Sequence, residues 1–184
     1  MKRALYMVLV LCLVGIISGG LLAQVNQWSK PRIAASQNAA TEQAIYFVQP
    51  RGARYEPVTG LDFAVYRVFD AGDQVTGYAM VYQGKGFQGA IRLMIGLNED
   101  LSQITAIEVL DQSETPGLGA LITEAGFKDQ FRGLLTSPAV AWIKGAPPSQ
   151  PNEIQAITGA TISTKAVVEI INQGVANLRQ QLNP

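Results

Sequence analysis

Between Ala4 and Ala23 the chain runs twenty residues without a charge, and Leu, Val and Ile dominate them. At 1.5 Å per residue a helix of that length reaches about 30 Å, the thickness of a bilayer's hydrocarbon core. Met1-Lys2-Arg3 precede it. Positive charge ahead of a single span keeps the N-terminus in the cytoplasm, so everything after Val25 is expected on the outer face of the membrane. A cleaved secretory leader is the rival reading, with Leu21-Leu22-Ala23 as a poor cleavage site. The run is longer than a leader's apolar core of about 7–15 residues, which favours a retained anchor. Cys12 lies inside it and is read as packing.

What is missing narrows the chemistry. The 184 residues contain no histidine, so a Ser-His-Asp triad, a His-ligated zinc and a His general base are excluded. Cys12 is the single cysteine, which excludes a disulfide within the chain and a Cys-ligated iron–sulfur cluster. No metal site and no catalytic residue is expected, and any redox chemistry falls to a non-metal cofactor. Fourteen basic residues balance fourteen acidic ones. That leaves no broad electrostatic footprint for nucleic acid, and binding of a phosphate has to come from local geometry.

Three segments follow from the pattern: an anchor over 1–25, a membrane-proximal helix and linker over 26–59, and a folded domain over 60–184. Ala34, Ala35, Ala39, Ala40 and Ala44 favour helix in the second, and Pro50 and Gly52 end it. From Gly60 to Leu110 the sequence reads as β. Strands are expected around Phe63–Phe69, Val75–Tyr82, Ile91–Leu97 and Gln103–Leu110, joined by short turns into an antiparallel meander. Leu121 to Leu135 reads as a helix with Leu121, Ile122, Ala125, Phe131, Leu134 and Leu135 inward. Trp142 starts a short strand or loop. A final helix, Thr164 to Leu182, carries Val167, Val168, Ile171, Val175, Leu178 and Leu182 on one face. Strands first and helices after them give an α+β domain behind a transmembrane helix.

Three motifs compete for chemistry. Gly84-Lys85-Gly86-Phe87-Gln88-Gly89 matches a dinucleotide fingerprint, but Ala90 to Leu97 alternates like a strand where a helix is required. It is read as a hairpin connection. Glu114-Thr115-Pro116-Gly117-Leu118-Gly119 contains the Pro-Gly pair of a type II turn. It is either a plain strand-to-helix turn or a loop whose amides around Gly117 and Gly119 approach a planar ligand closely. Thr158-Gly159-Ala160-Thr161-Ile162-Ser163-Thr164 leads into the last helix. Either Thr161 or Ser163 is an ordinary N-cap, or the free amides and hydroxyls of a helix start receive a phosphate.

Taken together, the Glu-Thr-Pro-Gly-Leu-Gly segment, the Thr-Gly-Ala-Thr segment and the single anchor resemble the covalent FMN-binding domain family. Its members include the G subunit of the Rnf electron-transport complex and the C subunit of the sodium-pumping NADH:quinone oxidoreductase. The resemblance covers the anchor and most of the chain from Gly60 onward. It implies FMN joined through its phosphate to the Thr161 hydroxyl, installed from FAD by a separate flavin transferase with Mg²⁺. It also implies that Thr158, Gly159 and Ala160 present Thr161, and that Glu114, Thr115, Gly117, Leu118 and Gly119 line the flavin. Two departures are visible: Gln155 stands where the family usually has Asp, and Gln112 where it often has His.

The resulting expectation is a membrane-anchored flavoprotein subunit that relays electrons in an Rnf-type ferredoxin:NAD oxidoreductase. Its partners would be the other membrane, iron–sulfur and flavin subunits. The corresponding subunit of the quinone-reducing sodium pump, and a cofactor-free tethered scaffold in which Thr161 is only a cap, are the alternatives.

Overall fold

A computed structural model describes residues 2–182; Met1 and residues 183–184, the outer ends of the first and last expected segments, lie outside the described residues. The chain divides into two units, Met1–Ala40 and Thr41–Pro184. Helix α1, Lys2–Val48, begins in the first and ends in the second. In the first unit Leu9, Leu11, Leu13, Ile16, Ile17, Leu21 and Leu22 are all exposed to the surroundings. A helix that is apolar all round and uncovered by protein belongs in lipid. This stretch is long and apolar enough to cross a membrane, with a window of mean hydropathy 2.4.

The second unit is built on a five-stranded antiparallel meander: β1 Arg54–Pro57, β2 Val65–Phe69, β3 Val75–Lys85, β4 Ala90–Leu97 and β5 Ile104–Gln112, paired in that order. β1 is an edge strand inside the segment expected as linker. Its Arg-Tyr-Glu-Pro sequence is polar and short, so alternation alone does not reveal it. After the sheet come α2 Ala125–Lys128, the parallel pair β6 Ala141–Ile143 and β7 Glu153–Gln155, and helix α3 Thr161–Leu182.

Both faces of the sheet are covered. Met80, Leu93, Ile95, Leu97 and Ile107 pack against Val167, Ile171, Val175 and Leu178 of α3. On the opposite face Ala79, Val81, Met94 and Ala106 meet Ala44, Ile45 and Val48 from the last turn of α1. This explains why β4 is apolar at nearly every position, a pattern expected of a strand buried on both sides. Full burial of a side chain such as Ile45 contributes about 1.5–3 kcal/mol. The compact unit thus begins at Thr41.

Two helix expectations are corrected. Leu121–Leu135 is not one helix; it breaks into a 3₁₀ turn Gly119–Thr123, α2, and a second 3₁₀ turn Asp129–Phe131. Gly126 and Gly133 disfavour a continuous helix, and Gly133 takes φ +73°. Ile122, Phe131 and Leu134 are buried as expected, whereas Ala125 is exposed and Phe127 takes an inward place. The last helix starts one turn early, at Thr161, because the Ala160 carbonyl already accepts from Thr164 N–H at 3.0 Å.

Candidate functional site

Three connections meet around one cavity of about 320 Å³. The first is the Gly86–Gly89 hairpin between β3 and β4, closed by Gly86 N–H donating to Gly89 O at 2.7 Å. The glycine-rich motif is therefore the hairpin expected from the alternation after it. The second is the loop after β5. Leu118 N–H donates to Thr115 O at 3.1 Å, and Gly117 takes φ +73°. Pro116 at the second turn position and a left-handed glycine at the third are the requirements of a type II turn. The third is the approach to α3, where Ala160 N–H donates to Ile157 O at 3.0 Å and Gly159 takes φ +84°.

The second and third segments touch. A methyl on Gly159 would sit 3.3 Å from a Leu118 methyl. A methyl on Gly119 would lie 2.5 Å from Ser163 Oγ and 2.6 Å from Glu114 Oε2. Glycine is required at 119 because the helix start and the carboxylate fill the space a side chain would need. Thr161, Gly159, Ala160, Glu114, Thr115, Leu118 and Gly119 all face the cavity. Thr158 and Gly117 do not; they shape the two turns.

The hydroxyls of the helix approach are not equivalent. Thr164 is fully buried, donates to Ala160 O at 3.2 Å and accepts from Ile157 N–H at 3.2 Å. Ser163 is buried and donates to Glu114 Oε2 at 2.5 Å. Thr161 is half-buried in the cavity wall, and among the described residues its hydroxyl makes no hydrogen bond. Neither Thr161 nor Ser163 caps the helix through its side chain, since Thr161 is already helical. The N–H groups of Thr161, Ile162 and Ser163 likewise find no acceptor among the described residues. Three open donors at the start of a 22-residue helix, beside an uncommitted hydroxyl, suit a phosphate.

Glu114 is 4% exposed yet charged in character. Burial pushes its pKa up, but hydrogen bonds from Ser163 and from the Gln88, Phe87 and Gly89 amides outweigh burial and hold it below the ordinary carboxylate value. Its own N–H donates to Gln112 Oε1 at 2.5 Å, so the glutamine that stands where the family often has His steadies the loop. Gln155, in the place of the usual Asp, is exposed on β7 and donates its backbone N–H to Gln130 Oε1 at 2.7 Å.

Four further cavity residues escape sequence reasoning: Phe87, Lys144, Ile162 and Ser163 as a partner of Glu114. Phe87 at 62%, Ile162 at 58% and Leu118 at 47% exposure form an apolar rim suited to a planar ring. The glycine motif around Phe87 was the available signal; only strand pairing brings it beside Glu114.

The FMN-binding domain family matches residues 86–176, which include all three connections. The chain is 31% identical over 182 residues to the G subunit of the ion-translocating oxidoreductase complex of Methanosarcina acetivorans, covering 95% of this chain and 94% of that one. It is 28% identical to the G subunit of the proton-translocating ferredoxin:NAD(+) oxidoreductase complex of Clostridium ljungdahlii, covering 86% and 83%. Among solved structures, the C subunit of the Na(+)-translocating NADH-quinone reductase of Parabacteroides distasonis superposes with a TM-score of 0.57 at 27% identity, over 66% of this chain and 63% of that one.

Proposed function

The chain belongs to the FMN-binding domain family, with the G subunits of ion-translocating oxidoreductase complexes, and from that premise we propose that it carries FMN on Thr161 and relays electrons between partner subunits. The observation that carries the reading is the uncommitted Thr161 hydroxyl beside three open helix amides in a cavity of ligand size. In attachment, the Thr161 oxygen would replace AMP on the FMN phosphorus of FAD, with the hydroxyl proton given up as AMP departs. The N–H groups of Thr161, Ile162 and Ser163 would hold the phosphodiester, whose negative charge the helix dipole favours. Leu118, Phe87 and Ile162 would flank the ring and exclude water, and Lys144 would add a positive charge at the rim. When bound, the isoalloxazine supplies the electron-carrying chemistry; the chain supplies tether, orientation and dryness.

The test is direct. Full-length protein made beside a flavin transferase gives a fluorescent band on a denaturing gel and a mass increase of one FMN on the peptide containing Thr161. A folded protein without the adduct favours a cofactor-free scaffold. For topology, Lys2 and Arg3 before the single span favour a domain on the outer face. Protease added to intact spheroplasts then digests the domain, and protection until lysis reverses the orientation. The other membrane, iron–sulfur and flavin subunits are the expected partners. They also hold the ion pathway, which one helix is too little to form.

A further inference from the structure

The Glu114 carboxylate joins all three connections. Oε1 accepts from Gln88 N–H of the hairpin at 3.0 Å, and Oε2 accepts from Ser163 Oγ of α3 at 2.5 Å. Gly86 and Gly119 press against it so closely that a methyl on either would collide with a carboxylate oxygen. Thr115, its neighbour, donates its hydroxyl to Gln88 Oε1 at 2.9 Å and ties loop to hairpin a second time. Among the described residues no basic side chain pairs with this buried acid; two of its bonds come from a backbone amide and a hydroxyl.

We propose that Glu114 is a positioning residue for attachment at Thr161: through the Ser163 hydroxyl and the Gln88 amide it fixes the first turn of α3 against the loop and hairpin that flank the ring. The proposal rests on the flavin reading above and differs from a direct contact between Glu114 and flavin. Ser163 lies two residues beyond Thr161, so holding Ser163 fixes the rotation of the helix start and hence the direction of the Thr161 oxygen. A misplacement of about 1 Å at a reacting atom can slow a reaction about a hundredfold. Glutamine keeps these contacts in weaker, neutral form: its oxygen can accept from Gln88 N–H while its amide group donates to Ser163 Oγ, whose hydroxyl turns from donor to acceptor, so alanine is the substitution that removes both bonds.

The experiment uses the full-length chain as acceptor for the transferase with FAD and Mg²⁺. Glu114→Ala and Ser163→Ala are expected to lower kcat for attachment about tenfold or more with KM for the chain unchanged, and Ser163→Thr to restore it. In the unloaded chain, hydrogen exchange should rise over residues 86–89 and over 164–167, the first bonded amides of α3, in both variants, with β4 and β5 still protected. Protection over β4 and β5 also reports that the variants fold. Wild-type attachment rates in Glu114→Ala and Ser163→Ala, or unchanged exchange in both windows, overturn the proposal. Failure of Ser163→Thr to restore the rate, with exchange normal, also overturns it. A folded wild-type chain that takes no adduct overturns the flavin reading as well, which separates the two failures.

Discussion

Two concave regions of the domain are opposite in character. The larger, about 910 Å³, is lined by side chains including Gln49, Asp70, Asn98, Asp100 and Thr105. These side chains are tied into the fold, while Arg51 and Glu99 on the same wall are exposed. Asp70 accepts from the amides of Gly72 and Gln74, Asp100 from Ser102, and Asn98 from Gln103. Gln49 donates to the carbonyls of Tyr78 and Leu97, and Thr105 to Val48. The smaller cavity, about 320 Å³, keeps three backbone donors and the Thr161 hydroxyl uncommitted among the described residues. Space does not distinguish a site from a crease; at the smaller cavity the first amides of a helix and a hydroxyl stay open together, where an anion also gains from the helix dipole.

The sharpest way to break this contrast is Thr161→Ala. It is expected to remove all covalent FMN while changing stability by about 0.5 kcal/mol or less, since the side chain makes no bond in the fold. Intact-protein mass spectrometry and a urea titration read the two quantities. An adduct that persists would move the attachment to another hydroxyl.

Next in size is Gly119→Ala, whose methyl would intrude on Ser163 and Glu114. A loss of about 1–3 kcal/mol is expected, together with reduced attachment. Gly117 has open space but φ +73°. Gly117→Ala is therefore expected to lose about 1 kcal/mol from backbone strain alone. Equal effects at the two glycines would show that the close approach at 119 is unimportant.

A third measurement concerns pH. The folded pKa of Glu114 is depressed, so its stabilising contribution is complete above the ordinary carboxylate value. It is lost as pH falls from that value through the folded one. Urea midpoints of wild type and Glu114→Gln, followed downward from pH 7, are expected to converge in that acid window. A constant difference between them would mean that the charge is not what the bonds serve. The smallest expected effect lies in the other region: Asp100→Asn leaves the flavin adduct unchanged, and a lost adduct there would give the larger cleft a part in attachment.

How much of this is legible in the sequence divides along a physical line. The apolar run at Ala4–Ala23, the meander and the inward face of α3 are local periodicities, and the sequence carries them openly. The Pro-Gly turn at 116–117 and the glycine hairpin at 84–89 also obey local rules. The edge strand β1 and the short β7 do not show, because their pairing partners, not their own residues, make them strands. The expected helix over Leu121–Leu135 fails because apolar spacing takes no account of two glycines that the chain has to obey. Within the cavity, the loop and helix-start residues are legible from their motifs. Phe87, Lys144 and the Glu114–Ser163 bond are not, for they depend on contacts between segments far apart in sequence.

The last turn of α1 has a further consequence, for length. Ala44, Ile45 and Val48 lie on one side of that helix and fill the second face of the sheet, while Gln49 and the Val48 carbonyl are tied to β3, β4 and β5. Inserting one residue between Thr41 and Ala44 would turn the sheet-facing set by about 100° relative to the residues preceding it. Either those residues rotate with it or the core loses its lid. Additions and deletions are tolerated in the exposed 145–150 connection. A soluble form of the domain must accordingly start no later than Thr41; one trimmed to residue 60 would expose the apolar face under Ile45 and aggregate.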